Sequence, residues 1–135
     1  MKGRAGMKIG LDYWQVCSHY PDYFRELARA HLAMNGEVHI VSAIGQGRSG
    51  TIAAEVAELG IPNSGVHEVV FRHPKESPQL KLAKCVELGI QVFYDDREDV
   101  CRLLNQHGIL ALHVPRKDPS AGDLSAERDA APAAT

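Results

Sequence analysis

Five short apolar runs alternate with stretches of helical periodicity, and this alternation constrains the chain more than any other feature. The runs cover residues 8–11 (KIGL), 37–42 (EVHIVS), 68–71 (EVVF), 90–94 (IQVFY) and 109–114 (ILALHV). Each has the length of a strand. Between the first two, Pro21 opens a helix whose apolar face is Phe24, Leu27, Ala28, Leu32 and Ala33, and Asn35-Gly36 ends it. A second helix over 51–59 stops at Gly60 with Pro62 behind it. A third opens at Pro78, carries Leu80, Ala83, Val86 and Leu88, and is capped by Gly89. Val100, Leu103 and Leu104 mark a fourth, closed by His107-Gly108. Strands that alternate with helices in this way predict an α/β domain: a five-stranded parallel sheet with helices on both faces.

The 135 residues suit one domain. A formal net charge of −2 supplies no electrostatic reason to expect nucleic acid or an anionic membrane as partner. Cys17, Cys85 and Cys101 form no CxxC pair, which excludes a disulfide framework and a zinc site of the usual spacing. Cys85 and Cys101 read as small core residues on helix faces. No apolar run approaches the roughly 18 residues of a membrane span, and the N-terminus lacks the apolar core of a signal peptide. The expectation is a soluble, cytoplasmic protein in a reducing compartment. Residues 1–7 read as an N-terminal extension, 8–116 as the folded domain, and 117–135, rich in Ala, Pro, Ser and charge, as a disordered tail.

Chemistry concentrates at the strand ends. The first run ends on Asp12, which Tyr13-Trp14 follow; the second ends on Ser42; the fourth ends on Asp95-Asp96. In an open parallel sheet, ligands collect beyond the carboxyl ends of the strands. Carboxylate oxygens converging there from separate strands suit Mg2+, a hard cation that often bridges to phosphate.

In order and content these motifs resemble the haloacid-dehalogenase-like (HAD) superfamily of phosphohydrolases, over most of residues 8–114. The quoted matches are IGLDYW with Asp12, VHIVS with Ser42, and KLAKCVELGIQVFYDD with Lys81 (Lys84 as its alternative) and Asp95-Asp96. The resemblance implies a three-layer Rossmann-like sandwich. It also implies that Asp12 attacks a phosphoryl group to form an aspartyl-phosphate. Ser42 and Lys81 would hold the non-bridging oxygens, and Mg2+ would sit among Asp12, the Trp14 carbonyl and Asp95 or Asp96. The substrate would be a phosphorylated small molecule or macromolecule. About thirty residues separate Asp12 from Ser42 and about forty separate Ser42 from Lys81. Elements of the sheet fill both intervals, so no cap domain is expected and the site would be open.

Trp14 is the departure. Phosphatases of this family carry a second Asp there as general acid and base, and an indole, whose N–H is only a donor, performs neither role. The expected hydrolase is therefore an impaired one. The alternative is a HAD-like protein that binds phosphate or nucleotide, or regulates, without turnover.

The segment 42–51 (SAIGQGRSGT) permits two rival readings. Gly45, Gly47 and Gly50 satisfy GxGxxG, with Glu68 as the acidic residue of a dinucleotide site. The same stretch resembles the phosphate loop of protein tyrosine phosphatases, with Ser42 in place of the nucleophilic cysteine. Cys17 and His19 could face a substrate near Asp12. The seven histidines show no HxH or HxxxH spacing and read as separate surface or core positions.

Overall fold

Along β1 (Lys8–Leu11) the buried Ile9 and Leu11 face one side, and Gly10 lets another strand's side chain approach. A Cβ on Gly10 would lie 2.4 Å from Cδ1 of Phe93. The computed structural model describes residues 6–117. The first turn after β1 is a wide one, Tyr13–Cys17, that breaks at Trp14 and Gln15; Gln15 has φ of 66°. Then follow α1 (Pro21–Ala33), β2 (Glu37–Gly45), α2 (Ile52–Leu59), β3 (Gly65–Phe71), α3 (Ser77–Leu88), β4 (Val92–Asp95), α4 (Glu98–Gln106) and β5 (Leu110–His113).

All strand pairs are parallel, in the order β3-β2-β1-β4-β5. Side-chain alternation sorts the core into two layers. Ile9, Leu11, Val38, Ile40 and Ile44 pack under α1 and α2 with Phe24, Ala28, Ile52 and Val56. Val41, Ala43, Val69 and Phe93 pack under α3 and α4 with Leu82, Cys85, Val100 and Leu104. The result is the expected three-layer Rossmann-like sandwich, and each crossover between consecutive strands holds one helix.

The boundaries differ from the sequence reading in instructive ways. β2 does not end at Ser42: Ala43, Ile44 and Gly45 continue the ladder against Val69, Val70 and Phe71. β3 is longer too, beginning at Gly65 rather than Glu68, and its added residues pair with His39, Ile40 and Val41. Ile90 lies outside β4; its amide closes the end of α3 by bonding to Cys85 O at 2.9 Å, across Gly89 in the left-handed region. The histidines are not all separate. β2 and β3 bring His39 Nδ1 within 3.0 Å of His67 Nε2, while Glu37 meets His39 Nε2 at 2.9 Å. Only the pairing of strands distant in sequence could reveal that contact.

The chain begins inside the sheet. From β1 it proceeds outward to β2 and β3, then returns across β1 to β4 and β5. The two sides diverge between the carboxyl ends of β1 and β4, the place where such sheets bind ligands. No helix among the described residues is long and apolar enough to cross a membrane. Gly6 and Met7 already hydrogen-bond to Asn35 and Glu37; the expectation for residues 118–135 lies outside the described residues.

Candidate metal centre

Backbone pairing fixes the two strand ends that carry the carboxylates. Asp12 N–H donates to Tyr94 O at 3.0 Å, and Val114 N–H donates to Asp95 O at 2.8 Å. The side chains of Asp12, Asp95 and Asp96 meet at the crevice, and each offers an oxygen within 4.8 Å of the others. All three residues are buried.

Lys81 joins them from α3. Its side chain is 0% exposed, with Nζ 2.7 Å from Asp95 Oδ2 and 3.1 Å from Asp12 Oδ1. A solvated helix-face lysine, the default from helical spacing alone, is therefore excluded. Lys81 shares its face of α3 with the buried Leu82 and Cys85. Lys84 instead lies toward solvent and pairs with Glu87 at 3.1 Å, so Lys81 is the lysine that reaches the cluster.

Each carboxylate has a defined surrounding. Asp95 Oδ1 accepts the Arg97 N–H at 3.0 Å. Asp96 Oδ2 accepts Arg116 Nε–H at 2.8 Å, whereas Asp96 Oδ1 is buried with no hydrogen-bond partner among the described residues. Burial raises the Asp95 carboxyl above its ordinary range; Lys81 pulls it down, and the nearby Asp96 pushes it up again. Asp99 stands apart, gripped by Arg97 at 2.8 and 3.1 Å.

This donor set fits a hard divalent cation. The oxygens are carboxylate, the count matches what Mg2+ takes from protein while keeping waters, and one buried oxygen lacks a partner. The set does not by itself select among hard cations.

Ser42 is buried mid-strand, and its Oγ has no hydrogen-bond partner. The β1–β2 register sets Leu11 opposite Ile40, so Ser42 lies two residues further along, beside the start of the Tyr13–Cys17 turn. Trp14 is mostly buried, and Cζ of Arg48 lies over its ring, 5.4 Å from the centroid. Cys17 does not face a substrate: it is fully buried, and burial together with Asp12 raises its thiol pKa well above the ordinary range.

Sequence reasoning missed Arg116, Arg97 and Arg48. Arg116 could have been suspected from its place just beyond the fifth apolar run, on the same edge as Asp96. Arg48 falls at the arginine position of the phosphate-loop resemblance in 42–51, but its contact with Trp14, like that of Arg97, carries no local signal.

The dinucleotide reading fails on Glu68. Its carboxylate oxygens accept the Gly50 and Ile52 amides at 2.6 and 3.2 Å, which occupies it at the start of α2. The helix start already has its anion.

Beside Asp96 lies a cleft of about 600 Å³, lined by Arg97, Asp99, Arg102, His113 and Arg116 among others. An apolar groove of about 240 Å³, with Tyr20, Tyr23, Phe24 and Tyr94, adjoins it across His113 and Pro115.

No model of a known protein family matches the sequence, and no curated protein matches it. Among solved structures, a chain of the "Structure of the Pnkp1/Rnl/Hen1 RNA repair complex" is similar in fold, with a TM-score of 0.65 at 10% identity. The match covers 87% of this chain but 46% of that one, so the chain spans less than half of its structural neighbour. At that identity the likeness concerns the α/β fold alone.

Proposed function

We propose that the chain is a metal-dependent phosphohydrolase of the HAD-like type, acting through an aspartyl-phosphate on Asp12. The observation that carries the reading is the buried convergence of Asp12, Lys81, Asp95 and Asp96 at the β1–β4 crevice. The strand order supports it, because it puts the first and fourth strands side by side where the sequence motifs require.

Asp12, Asp95 and Asp96, with the Trp14 carbonyl, would hold Mg2+, which when bound supplies positive charge against the repulsion between a carboxylate nucleophile and a phosphate ester. Asp12 attacks phosphorus through one carboxylate oxygen, and the P–O bond to the leaving group breaks. The departing oxygen takes its proton from solvent, since Trp14 has none to give. Water then cleaves the acyl phosphate and restores Asp12. Lys81 orients the Asp12 carboxylate and offsets its charge, and Ser42 Oγ is a donor for a phosphoryl oxygen. Without a positioned acid and base, each proton transfer forgoes a factor of about 10²–10⁴. Slow turnover is the expectation.

The test is phosphate release with Mg2+ from a panel of phosphomonoesters, comparing wild type with Asp12→Asn. The panel includes nucleoside monophosphates and phosphate-ended oligonucleotides, because the structural neighbour comes from an RNA repair complex. Activity that survives Asp12→Asn would remove the nucleophile assignment. No turnover on any ester, with Mg2+ still bound, would favour the second reading: a phosphate-binding or regulatory protein. The indole at position 14 is what favours that alternative.

A further inference from the structure

The proposed hydrolase uses nothing of the glycine-rich loop that follows β2, yet that loop sets a guanidinium over the Trp14 ring. Arg48 closes the short turn Gln46–Arg48, and its Cζ lies 5.4 Å from the centre of the Trp14 ring. Trp14 is two residues from Asp12, so their Cα atoms are within about 7.6 Å. Among the described residues Arg48 makes no side-chain hydrogen bond and no ion pair, whereas Arg25, Arg97 and Arg116 each hold a carboxylate. Arg48 is half-exposed, and Gly47 and Ser49 beside it are exposed.

Stacking on an aromatic face uses the plane of the guanidinium and leaves its in-plane N–H groups free to donate. A carboxylate at position 14 would instead engage those N–H groups in a bidentate pair and cancel the charge. The indole therefore does two things together: it removes the acid and base, and it seats a cation that among the described residues has no carboxylate partner. We propose that Arg48 is a phosphate-binding residue, held by the Trp14 ring so that its N–H edge meets the oxygens of the bound phosphoryl group. The proposal rests on the phosphohydrolase reading and adds the substrate chemistry: a dianionic phosphate ester clamped from the Trp14 side as well as from Lys81.

Trp14 is the chain's single tryptophan, so its emission reports on this position alone. Tungstate, a tetrahedral dianion like phosphate, is titrated into the full chain with Mg2+ present, read by calorimetry and by Trp14 emission. Wild type binds with a change in emission. Arg48→Ala weakens binding by roughly ten- to a hundredfold, the range for a charge-assisted hydrogen bond, and Arg48→Lys falls between because a point charge replaces the planar fork. Equal tungstate affinity in wild type and Arg48→Ala, with Lys81→Met still impaired, would overturn the role of Arg48 and leave the hydrolase reading intact. No tungstate binding by wild type, with or without Mg2+, would overturn both.

Discussion

Replacing Lys81 with Met keeps the side chain's length and most of its volume but removes the one cation between Asp12 and Asp95. The wild-type ammonium lies 2.7 Å from one carboxylate oxygen and 3.1 Å from another, and none of the three residues is appreciably exposed. Removing one partner from a buried ion pair typically costs about 3–5 kcal/mol, because the remaining charge keeps its desolvation penalty. Here two carboxylates lose the same ammonium with a third nearby, so the upper half of that range is expected. Domains of this size have roughly 5–15 kcal/mol in total, so the variant should fold with a thin margin. With a urea slope near 2 kcal/mol per molar, the midpoint should fall by about 2 M, measured by circular dichroism at pH 7 in EDTA. The deficit should shrink on acidification. Asp95 already has a raised pKa in the fold, and losing Lys81 raises it further. As pH rises from the unfolded value, the unfolded chain releases that proton first, so stability declines toward the folded pKa, and acid reverses the loss. Mg2+ should return more stability to the variant than to wild type, since it replaces the missing charge. A change below about 1 kcal/mol in EDTA at pH 7 would refute the reasoning.

Two further predictions concern groups away from the crevice. Burial pushes the Cys85 and Cys101 thiols up to about 12, and raises Cys17 further, so none should react with a disulfide reagent at pH 8 until the protein unfolds; rapid labelling of the native chain would contradict this. Burial, then the neighbouring His39, holds His67 below its ordinary pKa. Its contribution is complete above about pH 6.5 and is lost as pH falls through the folded value, because the unfolded chain binds the proton more readily. His67→Gln should therefore flatten the stability profile between roughly pH 6.5 and 5, and an unchanged slope would show that the histidine pair is not the acid-sensitive element.

The architecture was legible because each element carries local marks of its type: glycine or Asn-Gly stops, prolines in first turns, and apolar faces of the right period. Asp12 and Asp95-Asp96 were legible as strand ends for the same reason. What the sequence could not display is set by pairing across distance. Ser42 looked terminal because a hydroxyl interrupted an apolar run, but β3 offers Val69, Val70 and Phe71 as partners and the strand continues. Lys81 differs from Lys84 by less than one turn, and only the packing of α3 on β2 and β3 decides which lysine is buried. His39 and His67, twenty-eight positions apart, meet through the β2–β3 ladder. Arg48 and Trp14 meet because two strand-end turns share one rim.

One feature separates this cluster from an ordinary buried ion-pair network. Lys81 and Arg116 between them engage one oxygen of each carboxylate, and the Arg97 amide takes the second oxygen of Asp95. A network serving stability alone would be expected to close on itself, since a buried acceptor without a partner costs about 1–3 kcal/mol. Among the described residues Asp96 Oδ1 is left open, and Ser42 Oγ, on β2 at the other side of β1, is open as well. Among the described residues the three buried carboxylates meet one lysine and one arginine, so negative charge is concentrated there. A divalent cation answers the charge and the Asp96 oxygen together, and an oxyanion is what Ser42 could donate to. The unfinished hydrogen bonding therefore points to a site that is completed by ligands.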